Sequence, residues 1–233
     1  MRSLGRIAAR LASAALLAAS LPCAAGETPT HRVGVALAAD AGGVRTLEDL
    51  MRGMAGTAGV VADFREVQQL ALLSAPLEVD GTIYFAPPDR LVRITRPPNA
   101  SRLRIDGTRF AFRNEAGGDE VDLSGNPIAR AFVDGFLALF AGDLGKLRDR
   151  YEPRFASDGP RWTLALTPRG RPLSDLVARI TLAGEGRALA RMELVETGGD
   201  RTLTSFEHVD VDHRFAADEL ERIFAAGGTS AAR

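Results

Sequence analysis

Residues 81–113 read GTIYFAPPDRLVRITRPPNASRLRIDGTRFAFR, and this stretch decides the fold class. It contains several short runs in which apolar and polar residues alternate with the two-residue period of a half-buried β-strand. Asp106-Gly107 separates two of these runs and is typical of a hairpin turn. The proline pairs Pro87-Pro88 and Pro97-Pro98 separate the others. The stretch therefore predicts consecutive antiparallel strands.

Further strand patterns occur before and after this stretch. They cover residues 60–72, 120–123 and 162–167, and three runs lie between residues 176 and 211. No linker of distinct composition divides them, and the chain shows no internal repeat. We therefore predict one α+β domain over residues 43–225, with a curved antiparallel sheet of about 9–11 strands and helices on one face.

Two apolar helices interrupt the strands. The first begins at Thr46, a good N-cap, and its apolar residues from Leu47 to Met54 share one face. The second follows Asn126-Pro127 and carries Ile128, Phe132, Phe136 and Phe140 at steps of four. Such a face covers either a filled core or, over a bent sheet, a cavity for hydrocarbon. The residues alone favour the filled core.

Residues 1–26 have the organisation of a secretory signal. A basic start without acidic residues precedes an apolar run over residues 11–21, and small residues follow as a cleavage site. The run is too short to span the roughly 30 Å hydrocarbon core of a bilayer. We expect export to the periplasm, a flexible leader over 27–42 and a disordered tail over 226–233. Lipid attachment at Cys23 is the less favoured alternative.

The composition excludes several classes of function. The chain has 233 residues, of which 45% are hydrophobic and 25% charged, and a net charge of −1. This balance lacks the positive charge of a nucleic-acid-binding protein. One cysteine and three histidines leave little material for a zinc site. We expect no metal and no cofactor.

The sequence offers no motif for catalysis. It has no G-x-S-x-G element, P-loop or G-x-G-x-x-G motif, so we predict that the protein is not an enzyme. His208, Asp210 and Asp212 alternate along one predicted strand and could bind a divalent ion from one face. A solvated sheet face is the favoured interpretation of this triplet.

Arginines recur across the consecutive strands of the opening stretch. They could face an anionic headgroup or phosphate, but the solvated face of an antiparallel sheet is again the favoured interpretation. The residues concerned are Arg93, Arg102, Arg104, Arg109 and Arg113.

Four short segments carry a family resemblance by their order and spacing. They are VADFRE at 61–66, GTIYFAPP at 81–88, RPP at 96–98 and IDG at 105–107. Over about residues 44–224, the chain resembles the LolA/LolB family of bacterial outer-membrane lipoprotein carriers, and looks closest to its LolA-related branch. The resemblance implies an incomplete β-barrel, closed by helices, whose concave apolar face holds acyl chains.

The implied function is that of a non-catalytic periplasmic carrier moving a lipid or lipidated cargo toward the outer membrane. Strand parity and helix spacing assign the acyl-binding residues Phe64, Leu72, Phe85, Ile94, Ile105, Phe132, Phe136, Leu139, Phe140, Trp162, Leu164 and Leu166. The carriers have an Arg-Pro pair after the second strand, where this chain has Pro87-Pro88. This difference favours a lipid or glycolipid cargo over the lipoprotein cargo of the carriers.

The implied partners are this cargo and a membrane transporter or outer-membrane acceptor. We expect a monomer that does not bind nucleic acid. The alternative is an envelope interaction or sensor protein that keeps the same half-barrel with a filled core.

Overall fold

The structure is a computed structural model, and it describes residues 44–125 and 127–225, although not the side chains of 127–129 and 132. The predicted signal, Cys23, the leader and the tail lie outside the described residues. The helices are α1 (Leu47–Ala55), α2 (Pro127–Phe140), α3 (Leu144–Arg150) and α4 (Ala217–Phe224). The strands are β1 (Val60–Gln69), β2 (Leu77–Ala86), β3 (Arg90–Thr95), β4 (Ser101–Asp106), β5 (Arg109–Asn114), β6 (Gly117–Asp122), β7 (Tyr151–Asp158), β8 (Arg161–Pro168), β9 (Val177–Glu185), β10 (Ala188–Glu196) and β11 (Arg201–Asp210).

All eleven strands belong to one antiparallel sheet. Their order is β6-β5-β4-β3-β2-β1-β11-β10-β9-β8-β7, so β6 and β7 are edges and the sheet does not close into a barrel. The first and the last strands pair at its centre, where Phe64 lies opposite Phe206. The predicted α+β class and curved antiparallel sheet are confirmed.

Local sequence signals explain several of these elements. Thr46 caps α1 through a capping box, in which its hydroxyl accepts from the Asp49 amide and the Asp49 carboxylate accepts from the Thr46 amide. The β4–β5 hairpin turns at Asp106-Gly107, and Gly107 has a φ of +57° that favours glycine. These predicted boundaries are correct because the signals act within a few residues.

The helices divide the concave side of the sheet into two cores. The first core packs α1, α3 and the start of β7 on strands β8 to β10, and includes Leu50, Tyr151 and Leu164. The second core packs α2 on strands β1 to β5, and includes Phe85 and Ile105. Helices therefore cover the concave face over both halves of the sheet.

The last helix lies on the opposite, convex side. Phe224 of α4 packs with Ala86 and Val92, and Ile94 and Phe215 border this small cluster. At this place α2 covers the concave face of β2 and β3, and α4 covers their convex face. Neither face of these two strands is therefore fully solvated, and both carry apolar residues.

Candidate functional site

An apolar pocket lies where the two cores meet. Its volume is about 30 Å³, and all its lining residues except Thr57 and Arg187 are apolar. They are Met54, Thr57, Val60, Ala62, Ile83, Leu139, Phe140, Arg187, Leu189, Phe206, Val209 and Val211. A volume of this size corresponds to about one water molecule. In this conformation the pocket is therefore too small to hold an acyl chain.

Two aromatic side chains join the cores at this pocket, and we call the boundary that they form the seam. Phe140 of α2 and Phe206 of β11 are only partly buried, and each packs against both cores. The Phe140 ring centroid lies 5.5 Å from that of Phe85 and 4.9 Å from that of Phe136. Phe140 and Phe206 therefore connect the two cores at the pocket.

A charged pair stands at the rim of the pocket. The Arg187 guanidinium donates from both terminal nitrogens to the Asp212 carboxylate, and one of these bonds is 2.9 Å long. The hydrogen bond from Arg187 lowers the pKa of Asp212. The Arg187–Asp212 ion pair therefore lies beside the apolar side chains that line the pocket.

A second feature of the concave side is a polar cluster of the buried Glu66, Gln68 and Thr204 and the partly buried Arg93, and we call it the inner polar cluster. The Glu66 carboxylate accepts from Arg93 at 2.9 Å, from the Gln68 amide nitrogen at 2.6 Å and from the Thr204 hydroxyl at 3.0 Å. These strong, charge-assisted contacts satisfy the buried carboxylate.

The path of Arg93 toward Glu66 depends on its neighbours. The guanidinium carbon lies 4.2 Å from the centre of the Phe64 ring, in a cation–π contact. Gly81 lies opposite Phe64 on β2, and a Cβ there would lie 1.9 Å from the Ile94 carbonyl oxygen and 2.8 Å from the Phe64 ring. Only glycine therefore leaves room for Phe64 and its stacked arginine.

Three buried side-chain oxygens on different strands have no hydrogen-bond partner within the described ranges. They are Gln68 Oε1, Thr95 Oγ1 and Glu196 Oε1. Gln68 and Thr95 are only 1% and 4% exposed. Buried polar atoms without partners are few in folded proteins, and each needs an explanation.

The free energy of unfolding should depend on pH because the Glu196 carboxyl is partly buried. Burial raises the pKa of this carboxyl, and the charge of Asp200 raises it further. The folded state then binds the proton more tightly than the unfolded state, so this contribution to stability is lost as pH rises above the ordinary value of 4.5. As pH rises from about 4 to 7, we expect the free energy of unfolding of Glu196→Gln to increase relative to that of wild type, as measured by urea titrations. The exposed Glu185→Gln serves as control, and equal pH profiles would contradict this expectation.

Most of the predicted acyl-binding residues lie on the concave side. Phe85, Ile105 and Phe136 belong to the second core, and Phe64 lies beside it under Arg93. The first core contains Leu139, Trp162, Leu164 and Leu166, and Phe140 bridges both. Phe132 lies on α2, but its side chain is outside the described residues.

Two predicted residues lie elsewhere, so their assignment was wrong. Strand β1 ends at Gln69, and Leu72 in the loop after it is 90% exposed. Ile94 lies on the convex side near α4, because it shares its face with Val92. The alternation on β3 was correct, but the face of Arg93, and not that of Ile94, points toward the concave side.

Each of the three candidate metal ligands, His208, Asp210 and Asp212, contacts a different side chain outside the triplet. His208 Nδ1 lies 3.2 Å from Asp63, Asp210 lies 3.2 Å from His213 Nδ1, and Asp212 pairs with Arg187. Among the described residues, no group of three His, Cys, Asp or Glu side chains is placed to hold a metal ion.

The recurring arginines do not form one solvated face. Arg104 is buried and pairs with Asp106 and Glu120, and Arg102 donates to the Ile223 carbonyl of α4. Arg109 and Arg113 are exposed. Sequence reasoning missed the inner polar cluster, although one signal was present: Glu66 and Gln68 interrupt an apolar parity on β1.

Comparison with known proteins assigns the family. A family model described as outer membrane lipoprotein carrier protein LolA-like matches residues 37–218. The chain belongs to the LolA-like family. A search of curated proteins finds no match for this LolA-like chain. None of the helices within residues 44–125 and 127–225 is long and apolar enough to cross a membrane.

Solved structures similar to this LolA-like chain are distant. A LolA superfamily protein from Nitrosomonas europaea has 10% identity and a TM-score of 0.41, with 75% of this chain and 96% of that chain covered. A putative outer membrane lipoprotein-sorting protein domain from Vibrio parahaemolyticus has 10% identity and a TM-score of 0.40, covering 74% and 94%. The MucA/MucB complex from Pseudomonas aeruginosa has 13% identity and a TM-score of 0.41, covering 75% and 60%.

Proposed function

We propose that this protein is a non-catalytic periplasmic carrier, which binds the acyl chains of a lipid or lipidated cargo at the seam and moves it toward the outer membrane. The observation that carries this proposal is the apolar pocket between the two cores. Burying acyl methylenes there contributes about 0.8 kcal/mol each and needs no directional partner. Membership of the LolA-like family and the predicted export signal support the same function.

Binding requires the seam to open. The pocket of about 30 Å³ does not hold an acyl chain, so the conformation seen is closed. Phe140 and Phe206 fill the boundary from opposite sides, and both keep part of their surface exposed. An entering acyl chain would replace the apolar contacts of Phe140 and Phe206 with its own apolar contacts. This replacement limits the free-energy cost of opening the seam. The site comprises the seam residues and, beside them, the concave side chains Phe85, Ile105, Leu139 and Leu164.

Native mass spectrometry and a fluorescent fatty acid test this function. We expect acyl lipid to co-purify with the protein, and Ala62→Leu to weaken binding of the fluorescent fatty acid about tenfold or more by filling the pocket. Ala178→Leu, on an exposed outward position of β9, is the matched control and should bind normally. A lipid-free protein that ignores the fatty acid would refute the carrier function.

A second candidate is an envelope interaction or sensor protein with a filled core. The small volume of the pocket favours it, because a carrier in its loaded state needs several hundred Å³. In that case Ala62→Leu should lower stability without altering any lipid signal.

A further inference from the structure

The apolar pocket at the seam carries a charge at its rim. Among the described residues that line the pocket, Arg187 is the only charged one, and it lies in the turn between β9 and β10. The strands β1 and β10 begin at this end of the sheet, where β2 and β11 end. An acyl chain in the pocket would therefore leave its headgroup at this end, beside Arg187.

The aliphatic part of Arg187 packs closely on helix α1. A Cβ at Gly53 would lie 3.0 Å from Arg187 Cγ and 3.2 Å from Arg187 Cδ, so the glycine leaves the room that this stem occupies. The side chain as a whole is 32% exposed. An arginine that packs by its stem and keeps its guanidinium at the surface can exchange hydrogen-bond partners while the stem stays in place.

The guanidinium of Arg187 already binds an oxyanion at this rim. Its two terminal nitrogens donate to the two oxygens of the Asp212 carboxylate, one of them over 2.9 Å. Two parallel donors of this kind match the spacing of the oxygens in a carboxylate or a phosphate. Asp212 therefore shows which headgroup chemistry fits here, and it supplies that chemistry from within the chain.

Asp212 is a partner that can be exchanged. Its side chain is 56% exposed, and ion pairs that reach the solvent contribute little to stability. The backbone beside it stays anchored, because the His213 amide donates to the Gly59 carbonyl. The hydrogen bond from Arg187 and, more weakly, the charge of Arg214 lower the pKa of Asp212. A displaced carboxylate would therefore keep water and a second cation close to it.

We propose that Arg187 is the headgroup-binding residue of the seam, and that it takes an acyl lipid with a carboxylate or phosphate headgroup in exchange for the Asp212 carboxylate. This inference rests on the proposed function, because it names the lipid class that the same pocket takes. A cationic headgroup would meet the like charge of Arg187, and an uncharged one would leave the ion pair in place.

Displacement of an uncharged dye by lipids of equal chain length tests the headgroup. The full chain binds N-phenyl-1-naphthylamine, which is then displaced at neutral pH by laurate, dodecyl phosphate, dodecanol or dodecylamine. Arg187→Met keeps the aliphatic stem on Gly53 and removes the guanidinium. We expect this variant to need about tenfold more laurate or dodecyl phosphate than wild type, and the same amount of dodecanol. The anion that is weakened more identifies a carboxylate or a phosphate headgroup.

Arg191→Met is the matched control for this variant. Arg191 is an exposed arginine of β10, and its replacement should leave the displacement by all four lipids unchanged. If Arg187→Met weakened dodecanol as much as laurate and dodecyl phosphate, the arginine would only shape the pocket, and the proposal would be overturned. Unchanged displacement by both anions would overturn it as well.

Asp212→Asn provides a second variant with the opposite expected sign. The amide keeps the shape of the side chain and removes the charge that competes for Arg187, so both anions should displace the dye at about fivefold lower concentrations. Dodecanol should act as in wild type. Glu78→Gln, an exposed carboxylate at the other end of the sheet, should change nothing. Weaker binding of every lipid in both Arg187→Met and Asp212→Asn would make the ion pair a structural contact and refute the exchange.

A failure of the proposed function gives a different result. In that case neither the dye nor dodecanol would bind to the wild-type protein, and the headgroup site would be refuted together with the carrier function. Binding of dodecanol without any effect of Arg187→Met on the two anions would refute the headgroup site alone.

Discussion

Replacing Glu66 by leucine should lower the free energy of unfolding by about 3–5 kcal/mol. The substitution leaves the partly buried guanidinium of Arg93 without its carboxylate, and the Gln68 amide and the Thr204 hydroxyl lose their acceptor as well. An uncompensated charge beside Phe64 is more costly than the loss of the pair itself. Urea denaturation of wild type and variant measures the difference.

The double variant Glu66→Leu/Arg93→Met should recover much of this loss. It removes both charges and keeps an apolar chain over Phe64, so the desolvation penalty disappears together with the ion pair. Glu78→Leu, an exposed carboxylate on the neighbouring strand, is the matched control and should change stability by less than about 0.5 kcal/mol. A loss below about 1 kcal/mol in the single variant would show that water reaches the cluster.

Replacing Phe140 by alanine should lower the free energy of unfolding by about 2–4 kcal/mol and should strengthen binding of a fluorescent fatty acid. The ring contacts Phe85 and Phe136 and bridges both cores, so its removal leaves a void continuous with the existing pocket. An apolar void of this kind accepts hydrocarbon. Denaturation and a fluorescence titration on the same preparation measure the two effects.

Phe215→Ala provides the comparison for this result. Phe215 is also a partly buried aromatic residue, but it packs against Phe224 on the convex side, with 6.1 Å between ring centroids. It should lose stability without any change in fatty acid binding. If both variants bind the fatty acid like wild type, the acyl chain does not enter at the seam.

Short-range signals made much of the fold predictable. Thr46 and Asp49 fix the start of α1 through contacts three residues apart, and Gly107 fixes the β4–β5 turn by its own backbone conformation. The alternation of Val92, Arg93 and Ile94 correctly predicted a strand. Such features depend on neighbours in the sequence, which a single chain displays directly.

The choice of face was not predictable in the same way. Alternation shows that Val92 and Ile94 share a side, but both sides of β3 are covered, one by α2 and the other by α4. Apolar residues then no longer identify the concave side. The error at Ile94 follows from the position of α4, a helix more than 100 residues later in the chain.

The inner polar cluster depends on contacts at long range. Glu66 meets Arg93 across 27 residues and Thr204 across 138 residues. These pairs form only in the register that β1 adopts with β2 and β11, which the composition of the strands does not encode locally. The polar residues of β1 were visible in the sequence, but their common acceptor was not.

The pairing of β1 with β11 also bears on how the protein matures. Residues 1–200 contain both flanking meanders but lack the strand that joins them, so a nascent chain reaches its native topology only after synthesis is nearly complete. Contacts of such sequence separation slow the search for the native state. Completion of the sheet therefore awaits the last part of the chain, which is compatible with the export to the periplasm that we propose.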